Sequence, residues 1–125
     1  MKQTMQEMNT TQSQNQPKVA VVTGGANGIG KCIAEEFRKQ GVKVYVIDKA
    51  EGEHYVGDVS DKAVLEDFAG TVIRECGGID YLINNALPLM KGIDTCSYEE
   101  FQYALSVGVT APFYLSKLFA PYFRE

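Results

Sequence analysis

The 125-residue sequence lacks the excess of basic residues that binding to nucleic acid requires. It has 12 Lys and Arg against 16 Asp and Glu, which gives a net charge of −4. Proteins that bind phosphate backbones or anionic membranes usually present basic patches, so we expect neither partner. The sequence also lacks long apolar runs. Segments such as residues 19–22 and 44–47 fall far short of the roughly 20 residues that a membrane-spanning helix needs.

Cysteine and histidine are scarce as well. The three cysteines, Cys32, Cys76 and Cys96, are odd in number and lack the paired spacing of metal ligands, and His54 is the sole histidine. We therefore expect free thiols, no disulfide framework and no metal site. The N-terminal residues contain no apolar stretch of the kind that signal peptides have. These features favour a cytoplasmic location.

The chain divides into a polar tail and one small domain. Residues 1–16 include five Gln and three Thr with no hydrophobic period, which predicts a disordered tail. From residue 17 to 125, short β-branched runs alternate with longer amphipathic runs, a pattern typical of βαβ units and a parallel sheet. The predicted strands are residues 19–23, 42–47, 55–59 and 81–84.

Three helices are predicted between and after these strands. The first covers residues 28–40, with Ile29, Ile33 and Phe37 on its buried face. The second follows a cap at Ser60 and stops at residues 77–78. The third begins at a capping box, residues 97–100, and is expected to kink at Pro112.

A glycine-rich segment lies between the first strand and the first helix. Residues 23–30 read Thr-Gly-Gly-Ala-Asn-Gly-Ile-Gly, and glycines there permit a tight turn and close approach of phosphates to backbone N–H groups. Asp48 ends the second strand 18 residues after Gly30, where a carboxylate can accept both hydroxyls of a ribose. The glycine-rich segment and Asp48 together predict a dinucleotide-binding site.

These residues resemble the short-chain dehydrogenase/reductase family from about Lys18 onward. Four motifs carry the resemblance: residues 23–30, Asp48, Gly57-Asp58-Val59 and Asn84-Asn85-Ala86. The resemblance implies an α/β fold: a three-layer Rossmann-like parallel sheet, truncated, with strand order 3-2-1-4 and helices on both faces. It also implies an oxidoreductase that binds NAD, with NADP less favoured. The implied cofactor residues are Gly24, Asn27, Gly28, Ile29, Gly30, Asp48, Asp58, Val59, Asn85 and Ala86.

The sequence departs from the family pattern after Asn-Asn-Ala and at the catalytic positions. Leu87 stands where the family has Gly after Asn-Asn-Ala, and Gly108 stands at the position of the family's helix Asn. The family's Ser and Tyr-x-x-x-Lys have no counterpart before Glu125. We therefore assign no catalytic residue, and we expect binding of the adenosine and diphosphate half of the cofactor without assured hydride transfer.

Two other interpretations remain. Residues 25–32, Gly-x-x-x-x-Gly-Lys-Cys, miss the phosphate loop of nucleoside triphosphatases by one residue, but a thiol is a poor Mg²⁺ ligand. The chain could also be a noncatalytic nucleotide-binding or scaffold protein. An open edge on the fourth strand and surplus aromatic residues on the last helix further predict a homodimer formed through one or both of these surfaces.

Overall fold

The computed structural model describes residues 16–125 and contains one parallel sheet of four strands in the order β3-β2-β1-β4. The strands are β1 (Val19–Thr23), β2 (Lys43–Asp48), β3 (Tyr55–Val56) and β4 (Tyr81–Asn84). This confirms the predicted fold class and strand order. The predicted tail falls on residues 1–15, which lie outside the described residues, and on Gln16, which is exposed.

Strand β1 is the centre of the sheet, because it pairs in parallel with both β2 and β4. All five of its residues are buried, which explains its unbroken apolar sequence. Successive side chains point to opposite faces, so Val21 belongs to the larger core and Val22 to the smaller one. The sheet is thus covered by helices on both sides.

The described residues contain four α-helices: α1 (Gly28–Lys39), α2 (Lys62–Cys76), α3 (Tyr98–Leu105) and α4 (Ala111–Phe119). Ala34 of α1 packs into the smaller core. Phe68 of α2 and Phe119 of α4 are almost completely buried in the larger core. Burying such a side chain contributes about 1.5–3 kcal/mol, so the face covered by α2 and α4 holds most of the apolar stabilisation.

The predicted start of α2 was wrong, and β3 is shorter than expected. Ser60 does not cap the helix, since its N–H donates to the Asp58 Oδ1 at 2.9 Å. Asp61 is the cap, and its side chain accepts from the Ala63 N–H at 2.9 Å. Strand β3 ends at Val56 rather than residue 59, because the chain turns at Asp58 instead of continuing along β2.

The predicted buried face of α1 was also partly wrong. Ile29 is 72% exposed, whereas Gly30 and Ala34 are buried and Ile33 and Phe37 are half-buried. Small residues at positions 30 and 34 let the helix approach the sheet closely, and Ile29 then projects beyond the strand ends. The spacing of apolar residues therefore predicted the buried face of α1 only approximately.

Pro112 produces a local change of helix type. Residues Ser106–Thr110 form a π-helical turn between α3 and α4, and the Ala111 N–H donates to the Ser106 carbonyl. Proline has no N–H and its ring displaces the preceding turn, and a single wider turn accommodates this within a continuous helix. Gly108 lies in the middle of that turn.

In the described residues, the chain covers the outer edge of the sheet only just before the start of β4, at Ile79. The Ile79 N–H donates to the Tyr122 carbonyl at 2.9 Å, and the Arg124 N–H donates to the Ile79 carbonyl at 2.9 Å. Arg124 also pairs with Asp80, with 3.2 Å between Nη2 and Oδ2. Within residues 16–125, no strand pairs with the outer edge of β4 itself.

Candidate functional site

A cavity of about 350 Å³ opens at the carboxyl ends of the strands, beside the point where β1 separates β2 from β4. In parallel α/β sheets, ligands bind at such a switch point of strand order. Eight of the ten predicted cofactor residues line the cavity: Gly24, Asn27, Ile29, Asp48, Asp58, Val59, Asn85 and Ala86. The sequence motifs, which lie up to 62 residues apart, therefore meet at one place.

The two predicted residues outside the lining, Gly28 and Gly30, shape the loop instead. Gly28 has φ 58°, and a Cβ at this position would meet no atom within 4 Å. Gly30 is buried, and a Cβ there would collide with the Gly24 carbonyl oxygen and the Asn85 amide nitrogen. Gly28 thus supplies the turn and open space, and Gly30 permits close packing of the loop against β4.

The end of β1 is tied to the segment after β4 by Thr23. Its hydroxyl is buried and accepts the N–H groups of Asn85 and Ala86, each at 3.0 Å. The Asn85 side chain donates in turn to the Gly24 carbonyl at 3.1 Å. These three bonds hold the glycine loop and the Asn-Asn-Ala motif as one rigid floor of the cavity.

Asp48 reaches back toward the glycine loop from the end of β2. Its Oδ2 accepts the Ala26 N–H at 3.1 Å, and its Oδ1 accepts the Ala50 N–H at 3.0 Å. A carboxylate has about four acceptor positions, so both oxygens retain capacity for a ligand. The side chain of Asn27, which caps α1, makes no capping hydrogen bond. The first N–H groups of that helix are therefore left without a side-chain cap.

Asp58 also lines the cavity and is held by two hydrogen bonds. Ser60 N–H donates to its Oδ1, and the Tyr103 hydroxyl donates to its Oδ2 at 2.7 Å. Burial acts to raise the pKa of Asp58, but these bonds and the nearby Lys49 ammonium outweigh it, and the pKa is lowered. Tyr103 is a cavity residue that the sequence analysis did not identify, because nothing in the sequence links it to a residue 45 positions earlier.

The phosphate-loop interpretation makes a specific prediction about Lys31. Neither Lys31 nor Cys32 lines the cavity, although a phosphate loop would place its Lys against the phosphates. Among residues 16–125, no three His, Cys, Asp or Glu side chains cluster as metal ligands would. In the same part of the chain, no helix is long and apolar enough to span a bilayer.

Comparison with known proteins agrees with these motifs. The sequence profile described as short chain dehydrogenase matches residues 18–125. The chain belongs to the short-chain dehydrogenase family. It is 33% identical to the 2,3-dihydro-2,3-dihydroxybenzoate dehydrogenase of Bacillus subtilis, with 86% of this chain and 48% of that protein covered.

Solved short-chain dehydrogenase structures show the same architecture. An apo enzyme from Clostridium thermocellum is 39% identical, with a TM-score of 0.78 over 86% of this chain and 49% of that one. A metagenomic short-chain oxidoreductase solved in complex with NADP is 29% identical, with a TM-score of 0.75 over 83% of this chain and 55% of that one. This short-chain dehydrogenase sequence thus spans about half the length of the relatives that it matches.

Proposed function

We propose that residues 17–125 form the half of a dinucleotide-binding domain that holds the adenosine and diphosphate of NAD(H). The observation that carries the proposal is the meeting of the glycine loop, Asp48 and Asp58 around one cavity of about 350 Å³. The relative solved with NADP supports a nicotinamide dinucleotide as the ligand class. Ten residues form the proposed site: Gly24, Asn27, Gly28, Ile29, Gly30, Asp48, Asp58, Val59, Asn85 and Ala86.

The diphosphate is assigned to the glycine loop and the start of α1. Helix N-termini favour anions because their first N–H groups are unpaired and the helix dipole is positive there. No acidic residue lies in the first turn of α1, so nothing on that turn repels a phosphate. A Cβ at Gly28 would meet no neighbouring group within 4 Å, so no side chain from elsewhere in the fold covers the backbone at this position.

The adenosine ribose is assigned to Asp48. Its carboxylate is fixed by two backbone N–H groups and lines the same cavity as the loop. It can accept both ribose hydroxyls of NAD, whereas the 2′-phosphate of NADP would meet a like charge. Lys49 also lines the cavity and offsets part of that repulsion, so the preference for NAD is expected to be moderate.

Calorimetric titration of the full chain with NAD and NADP tests this assignment. We expect NAD to bind more tightly. We expect Asp48→Asn to weaken NAD about tenfold, since a charge-assisted hydrogen bond is worth about 1.5–3 kcal/mol, and to strengthen NADP, because the charge that repels its 2′-phosphate is removed. Glu35→Gln, an exposed position on α1, is the charge-matched control. Absence of binding would refute the whole proposal, and equal affinities would refute the role of Asp48.

Hydride transfer by residues 1–125 alone is not part of this proposal. Gly108 has no side chain at the position of the family's helix Asn, and the family's Ser and Tyr-x-x-x-Lys have no counterpart among these residues. General acid catalysis typically contributes 10²- to 10⁴-fold. We therefore expect turnover of a carbonyl substrate only when another polypeptide segment supplies a tyrosine and lysine, and NADH oxidation with a carbonyl panel tests this.

A homodimer is a second proposal, supported by an exposed apolar face along α3 and α4. Phe101, Leu105, Val109 and Phe113 follow one another at four-residue spacing and are each 44–62% exposed. A continuous exposed stripe of this kind marks an interaction surface. Sedimentation of the full chain is expected to give a dimer at micromolar concentration, and Phe113→Glu is expected to shift it to monomer; a monomeric wild-type chain would refute the proposal.

A further inference from the structure

Lys49 lines the cavity next to the carboxylate that is assigned to the ribose. It follows Asp48 directly at the end of β2, and it is exposed. Among the described residues that line the cavity, it is the only one with a positive charge. An ammonium group binds phosphate through charge-assisted hydrogen bonds. The position of the Lys49 ammonium therefore decides how far it offsets the repulsion between Asp48 and the 2′-phosphate of NADP.

The Lys49 ammonium lies over the ring of Tyr103, 5.6 Å from the ring centroid. This distance is within the range of a cation–π contact. In the part of the chain that the structure describes, Lys49 forms no ion pair with a carboxylate, although Asp48 and Asp58 line the same cavity. The aromatic ring is therefore the group that the fold places against this cation.

Asp58 in turn holds Tyr103 in place. The Tyr103 hydroxyl donates to Asp58 Oδ2 at 2.7 Å, and Tyr103 lines the cavity together with Val59 and Val107, which are both buried. Burial and the bond to Asp58 raise the pKa of the Tyr103 hydroxyl, whereas the Lys49 ammonium acts in the opposite direction. Because linked polar groups polarise one another, a phenol that donates to a carboxylate has a more electron-rich ring. The bond to Asp58 thus strengthens the attraction between the ring and the ammonium.

We propose that Tyr103 is a specificity-determining residue that holds Lys49 on its ring and thereby disfavours NADP. The inference rests on the proposed binding of a dinucleotide with its adenosine ribose at Asp48. The Tyr103 ring and a 2′-phosphate compete for one ammonium, so NADP has to draw Lys49 away from the ring. NAD carries no 2′-phosphate and leaves the contact intact. Tyr103 is a positioning residue here: it acts on the phosphate only through Lys49.

Calorimetric titration of the full chain with NADP and NAD tests this inference through the ratio of the two affinities. The two ligands differ only in the 2′-phosphate, so a general loss of structure weakens both and leaves the ratio unchanged. Tyr103→Leu removes the ring. It is expected to raise the ratio of NADP to NAD affinity about two- to fivefold, the value of a cation–π contact at an exposed site.

Tyr98→Leu is the matched control on the same helix. The Tyr98 hydroxyl contacts Gln102, and Tyr98 does not line the cavity, so the ratio should stay at its wild-type value. Lys49→Gln shows whether the effect passes through the ammonium. It is expected to lower the ratio, and in this background Tyr103→Leu should have no further effect on it.

Two replacements at position 103 separate the ring from its hydroxyl. Tyr103→Phe keeps the ring, so the ratio is expected to change less than in Tyr103→Leu. Pentafluorophenylalanine at position 103 keeps the shape of that ring but inverts its quadrupole, whose negative face attracts cations. It is expected to raise the ratio about two- to fivefold above that of Tyr103→Phe. Because this replacement retains an aromatic ring, the inference stays falsifiable even if Tyr103→Leu fails to fold.

The outcomes distinguish this inference from the function on which it depends. If the wild-type chain binds neither dinucleotide, both the function and the inference are refuted. If the chain binds them but either Tyr103→Leu or pentafluorophenylalanine, in a folded chain, leaves the ratio unchanged, the inference alone is refuted. The same holds if Tyr103→Leu still raises the ratio in the Lys49→Gln background, since Tyr103 would then act without Lys49.

Discussion

Gly30→Ala is the substitution for which the structure predicts the clearest loss of stability. A methyl group at this position would overlap the Gly24 carbonyl oxygen and the Asn85 side-chain nitrogen, two atoms that are themselves hydrogen-bonded at 3.1 Å. The variant must either break that bond or move α1 away from the loop. Overpacking costs about 1–3 kcal/mol and the lost hydrogen bond about 1 kcal/mol, so we expect a loss of about 2–4 kcal/mol.

Gly28→Ala is the matched control, two residues earlier at the first position of α1. Its φ of 58° carries a conformational cost of about 1 kcal/mol for a residue with a side chain, but no atom lies within 4 Å of the added methyl group. Urea unfolding of the full chain, followed by far-ultraviolet circular dichroism, measures both. If Gly30→Ala is no less stable than Gly28→Ala, the argument from close packing is wrong.

Three further predictions concern residues around the cavity and the last helix. Thr23→Val removes the acceptor of two amide N–H groups and should cost about 2–4 kcal/mol in urea unfolding, whereas Thr23→Ser should cost much less. The folded-state pKa of Asp58 is lowered, so its stabilisation is full above the unfolded pKa of about 3.9 and is lost as pH falls through the folded pKa. In Asp58→Asn, this contribution should be missing, so the free energy of unfolding should fall less than in the wild-type chain as pH is lowered through this range. Gly108→Ala should stabilise by about 0.5–1 kcal/mol, since the nearest atom to the added methyl is in Pro88 at 3.8 Å; a destabilised variant would contradict this.

The sequence predicted the parts of the fold that depend on local patterns. Strand β1 was predicted with its observed bounds because a short, unbroken apolar run bounded by polar and glycine residues is typical of a buried strand. The end of α2 was predicted at Gly77, which has φ 74° and is the helix cap, because a left-handed backbone favours glycine. The capping box at Ser97 and Glu100 is also present.

The parts that the sequence did not predict depend on contacts between distant residues. Ser60 and Asp61 are both good capping residues, and only the hydrogen bond from Ser60 to Asp58 decides between them. Ile29 fits the apolar period of α1, but its exposure is set by where the helix begins relative to the strand ends. Tyr103 belongs to no sequence motif, and its place in the cavity is seen only through its hydrogen bond to Asp58, 45 residues earlier.

Hydrogen bonds between separate segments of the chain fix the groups that line the cavity proposed for adenosine. The bond from Thr23 to the residues after β4, the bond from Asp48 to the glycine loop and the bond from Tyr103 to Asp58 each join elements that are separate in sequence. A site whose acceptors are already oriented loses little further entropy when a ligand binds. The capacity to bind adenosine diphosphate should therefore reside in these residues, whether or not they also support catalysis.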